Sequence, residues 1–164
     1  MTEVRDGIQS PLLRRFHDYW AEKRGSRRFP SRADIDPIEF SFALGHVSLI
    51  DVLYEPLRFR YRLVASHITD HLGYEMTGRF VSEVPEPRMR TYTVIRYTNA
   101  VMAGAAVHEA GDVLADGRYW RHETLFLPLS ADDVIINMLA VCRVTDRPRV
   151  LPEREWQPLT SRGL

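Results

Sequence analysis

The chain has one cysteine, Cys142, so no disulfide can form within it, and that suits a reducing, cytoplasmic setting. It has almost no lysine. Lys23 stands alone, and arginine carries the rest of the positive charge. Charge of one sign is not in excess either: the formal net charge is zero, which removes any global attraction to nucleic acid or an anionic membrane. No apolar run approaches the ~18 residues of a membrane span, and the first residues, Met1 to Gly7, lack the apolar segment of a signal peptide. There is no internal repeat, glycine-rich phosphate loop, nucleophile motif or cysteine cluster.

What is present is the patterning of one domain with a real core. The 164 residues allow burial of roughly 70% of the surface exposed by the unfolded chain. The most informative stretch runs from Phe59 to Phe80. Phe59, Tyr61 and Leu63 alternate with Arg58, Arg60 and Arg62, the period of a strand with one apolar face. The alternation breaks at Ser66. Ile68 and Leu72 are four apart and Gly73 can close a helical turn; Met76 and Phe80 predict a second short helical segment. A strand that runs into short helices places a cavity between sheet and helices.

Ser10-Pro11 predicts a helix start and Gly25 its end. Leu12, Leu13, Phe16, Tyr19 and Trp20 form its apolar stripe, which either packs on its own domain or meets its copy in a homodimer. Asp36-Pro37-Ile38-Glu39 reads as a second helix start, with Glu39 reaching back to cap, and Gly45 as its end. Strands are predicted at His46–Tyr54 and Arg58–Val64, joined as a hairpin. A longer helix follows from Pro87 to Gly104, with Tyr92, Ile95, Asn99 and Met102 on one side. Further strands are predicted at Ala106–Leu114, Arg118–Leu127 and Val134–Val144, the first two joined by a tight Asp116-Gly117 turn. The last strand is mainly apolar and belongs in the middle of the sheet. The chain thus divides into flanking helices (1–45), a core (46–145) and a proline-containing tail (146–164) that Trp156 can anchor. The fold class is α+β: a five-stranded antiparallel sheet with a helical insert on one face and N-terminal flanking helices.

This order resembles the PAS fold. Several local motifs resemble, more narrowly, a bacterial family of small stand-alone PAS proteins: Tyr19-Trp20 with Arg24-Gly25, Pro30 to Pro37, Phe59-Arg-Tyr-Arg-Leu63, Gly73 with Thr77-Gly78, and Leu127-Pro-Leu129. Ala65 departs from the glycine expected after the second strand. The resemblance implies a non-catalytic sensory module that binds a small molecule in the pocket, or a signalling partner protein on the sheet and flanking helices. Any output is expected to pass through that partner.

The pocket expected from the pattern is lined by Tyr61, Leu63, Ile68, Leu72, Phe80, Ile95, Phe126 and Met138, with Tyr61 and His67 supplying orienting hydrogen bonds. A covalent flavin or a thioester-linked chromophore needs a reactive cysteine facing the pocket, and Cys142 on the last strand reads as a small buried residue. Haem is not expected: the long helix has no histidine, and His67 with His71 has zinc-ligand spacing but no third ligand. His108, Glu109, His122 and Glu123 on adjacent strands allow the alternative of a small enzyme with a histidine–carboxylate pair, although cross-strand pairing, with Arg62 opposite Glu123, accounts for them too. The basic stretch Arg14, Arg15, Lys23, Arg24, Arg27, Arg28 and Arg32 reads as a solvated face or as a patch for a phosphate or an acidic partner.

Overall fold

The computed structural model describes residues 2–115 and 118–146. The Asp116-Gly117 turn and the tail with Trp156 lie outside the described residues, as do the side chains of His71 and Leu72. Two N-terminal helices, α1 (Thr2–Gly7) and α2 (Pro11–Arg24), precede strands β1 (Val47–Leu53) and β2 (Arg58–Leu63). Helices α3 (Ser66–Leu72) and α4 (Pro87–Ala103) follow, then β3 (Val107–Ala115), β4 (Arg118–Leu129) and β5 (Met138–Thr145). The five strands form one antiparallel sheet in the order β2-β1-β5-β4-β3. The α+β architecture and the central place of the last strand are those expected from the sequence.

The start of α2 is set locally. The Ser10 hydroxyl accepts from the Leu13 N–H at 3.4 Å, Pro11 takes the first position and Gly25 ends the helix at φ +57°. This helix covers the sheet face carrying Leu125 and Leu127, and its Trp20 indole N–H donates to the Pro128 carbonyl at 2.9 Å. Leu13, Phe16 and Trp20 are fully buried, and Leu12 and Tyr19 pack partly against the same core. The stripe offered for dimerisation is therefore covered within its own chain, because the sheet face beside it needs an apolar lid. On the other face, Tyr97 of α4 meets Phe59 and Phe126 edge-on, with centroids 5.5 and 6.2 Å away.

Three local expectations are corrected. The second helix does not start at Asp36; the chain turns and forms a 3-10 helix over Ser41–His46. Glu39 is drawn away from any capping role by Lys23, at 2.6 Å, and by the Tyr19 hydroxyl, at 3.0 Å. No helix spans Met76 to Phe80. Gly78, at φ +83°, donates to the Tyr61 carbonyl and Arg79 accepts from the Tyr61 N–H at 2.9 Å, so the segment lies along β2 and shields that sheet edge. The last strand begins at Met138, not Val134. Asp132 accepts the N–H groups of Val134 and Ile135 at 2.9 and 2.8 Å and holds them in a turn.

Candidate functional site

Alternation along the ladder sorts the sheet residues. Phe126 pairs with Val141 and Thr124 with Arg143; Ile50 pairs with Tyr61 and Val52 with Phe59. These side chains share the face under α3 and α4. The hydroxyls of Tyr61 and Tyr97 interact there. Burial pushes the Tyr61 phenol up to about 12, and the fully enclosed Tyr97 well above its ordinary value. Both stay neutral and hydrogen-bonding at any physiological pH.

Of the pocket residues named from sequence, Tyr61 and Phe126 belong to this face, and Ile68 is half-buried against the same core. Phe80 is half-buried at the edge, with the Arg58 guanidinium 4.9 Å over its ring. Four placements differ. Met138 is buried but pairs with Leu129, which puts it on the opposite face beside α2. Ile95 is 53% exposed and Leu63 43% exposed. The helix turns Arg96, Tyr97 and Ala100 to the sheet, so Ile95 points outward, and a register shift between Leu49 and Ile50 carries Leu63 away. His67 is exposed, its ring 5.3 Å from that of His46. Leu72, as noted, is outside the described side chains.

Sequence reasoning missed Phe59, Tyr97, Arg96 and Arg143. The signal for Arg143 was present: it is the one charged residue of β5. Arg96 donates to Glu109 at 2.6 Å and stacks over the rings of Tyr92 and Phe126, 4.9 Å from each. An open groove of about 420 Å³ runs along the first half of α4, walled by Pro87, Arg88, Thr91, Tyr92 and Ile95. A larger groove of about 620 Å³ lies at the far end of the helix, between Met102, Gly104 and the Val134–Ile136 turn, and neither Tyr61 nor Tyr97 lines it.

A histidine–carboxylate pair joins the adjacent strands β3 and β4. His108 Nε2 donates to Glu123 at 3.0 Å, and the Gln9 N–H donates to the same oxygen at 3.0 Å. Gly7 lies directly over His108, where a Cβ would stand 3.7 Å from Nδ1. The pair is roofed by the N-terminal segment and fastens it to the sheet. Arg62 pairs with Asp51 at 2.7 Å, and not with Glu123, because β2 and β4 are separated by two strands. His122 meets the Thr145 hydroxyl at 2.8 Å. Cys142 is buried on β5, its thiol pushed up to about 12 by burial, so it is a poor nucleophile.

The basic stretch of α2 and its following loop is used internally. Lys23 and Arg27 pair with Glu39 and Asp34. Arg15, Arg24 and Arg28 lie over Phe42, Trp20 and Phe29. Arg14 and Arg32 donate to the Ile8 and Ile35 carbonyls. Among the described residues no helix is long and apolar enough to cross a membrane, and no group of three or more His, Cys, Asp or Glu side chains could hold a metal ion.

An antiparallel sheet in the order 2-1-5-4-3, with an insert of helices over one face and buried polar groups beneath it, defines a class of small sensory modules. Residues 8–141 match a family model described as a PAS domain, and the chain belongs to that family. Searches of curated proteins and of solved structures found no match. Family membership makes the chain a sensory or regulatory module in general terms.

Proposed function

We propose that the protein is a non-catalytic cytoplasmic sensor. It binds a small molecule between the sheet and helices α3 and α4 and relays occupancy to a signalling partner protein as a homodimer. One observation carries the ligand reading: two neutral hydroxyls, Tyr61 and Tyr97, lie together under α4 among Phe59 and Phe126. A mostly apolar site with a few convergent polar groups is what a small ligand needs. The buried Cys142 thiol suits a reducing compartment. A catalytic reading is less well supported, since the His108–Glu123 pair is covered by Gly7 and Gln9. The dimer surface is sought outside the buried α2 stripe.

Native mass spectrometry of freshly purified protein, with a denatured control, tests this. A dimer carrying extra mass that disappears on denaturation is the expected result. A bare monomer at every concentration overturns both halves of the reading.

A further inference from the structure

Arg143 lies opposite Thr124, on the face that holds Phe126 and Val141. It is half-buried, and its electrostatic neighbours are Arg96, Tyr92 and Tyr97, all on α4. Among the described residues it makes no ion pair, and the carboxylate on its ladder row is Glu109, across Thr124. Burial, and then the like charge of Arg96, lower its pKa. Glu109 is taken by Arg96 at 2.6 Å, so it does not neutralise Arg143.

Several of the other arginines have carboxylate partners. Arg5 has Asp18, Arg27 has Asp34, and Arg60 and Arg62 converge on Asp51. Taking a cation out of water without a counter-charge is costly. Tyr92 links the two arginines to solvent: its ring lies under Arg96, and it also walls the open groove with Ile95 and Arg88.

We propose that Arg143 is the anion-binding group of the sensory site, and that the ligand is a small organic anion. Its carboxylate or phosphate seats on the Arg143 guanidinium beside Arg96, under α4, and its apolar body lies against Tyr92 at the flank of the helix. A planar guanidinium matches either oxyanion with two parallel hydrogen bonds, while the pair of positive charges rejects a cationic ligand. This inference rests on the sensory reading above and narrows it to a chemical class.

The test titrates the full chain with benzoate, inorganic phosphate and the neutral benzyl alcohol at fixed ionic strength, reading heat and melting temperature. Saturable binding of one or both anions, with none of the alcohol, is expected. A preference for phosphate or for benzoate identifies the oxyanion. Arg143→Met should weaken that binding at least about tenfold, the scale of a charged hydrogen bond. Arg143→Lys, which keeps the charge but loses the fork, should weaken it less, and it carries the test should the methionine variant fold poorly. Arg15→Gln, on α2 across the sheet, should bind as the parent does. Anion binding unchanged in both Arg143 variants, equal binding of the alcohol, or no binding of either anion overturns the proposal. A co-purifying small molecule held equally by parent and Arg143→Lys would leave the sensory reading standing and remove only this one.

Discussion

On one face of the sheet, α2 lays Leu13, Phe16 and Trp20 against a dry layer that includes Leu125, Leu127 and Cys142, all essentially without exposure. On the other, α4 commits Tyr97 and Ala100 to the core and leaves Tyr92, Ile95 and Met102 at 53%, 53% and 77% exposure. The first face is closed mainly by apolar side chains, with the Trp20 indole satisfied by a backbone carbonyl and the His108–Glu123 pair roofed by the N-terminal segment. The second holds tyrosine hydroxyls and two guanidinium groups. A helix with so few buried anchors can shift at little cost, and a helix with α2's burial cannot. One face is tightly packed, and the other is the face to which the proposed ligand response is assigned.

The largest expected effect breaks this comparison directly. Phe16→Ala should cost about 3–5 kcal/mol through lost burial and the cavity left behind. Ile95→Ser, on the exposed side of α4, should stay within about 0.5 kcal/mol. Urea unfolding of both variants checks it. A comparable cost for Ile95→Ser would mean that α4 is clamped as firmly as α2, and the asymmetry would go.

Helix α2 and the strands of the sheet were the legible parts. Ser10, Pro11 and Gly25 mark α2 by capping chemistry that acts within one turn, and the alternation of β2 and the apolar run in β5 follow from burial of one face or both. The responsive face was harder to read, because its apolar residues are not its buried ones. The side of α4 chosen for its Tyr92, Ile95 and Met102 is the exposed side, and the packed side mixes Arg96 with Tyr97 and Ala100. Val134 and Ile135 look like strand until Asp132 captures their N–H groups. Glu39 looks like a cap until Lys23 arrives from another element. Arg143 gains its meaning only from a register that pairs it with Thr124 and sets it under α4, and sequence periodicity does not supply register between distant strands.

A smaller expected effect than that of Phe16→Ala sharpens the comparison from the firm side. His17 of α2 is 3% exposed, and neither ring nitrogen has a hydrogen-bond partner. Asp18 stands 3.6 Å away, too far for a hydrogen bond, and is engaged by Arg5 at 2.7 Å. Burial lowers the His17 pKa below its ordinary 6.5, with Asp18 pulling weakly the other way. The unfolded chain therefore takes up the proton first. The stability that neutral His17 permits is present above the unfolded pKa and is lost as pH falls below it. His17→Leu fills a similar volume without unsatisfied nitrogens. It should stabilise the protein by about 1 kcal/mol near neutral pH, and by more near pH 5, since the protonation penalty goes with the imidazole. Urea unfolding of parent and variant across that range reads both effects. Parallel stability curves would mean that water reaches His17, and that the α2 face is wetter than its apolar packing implies.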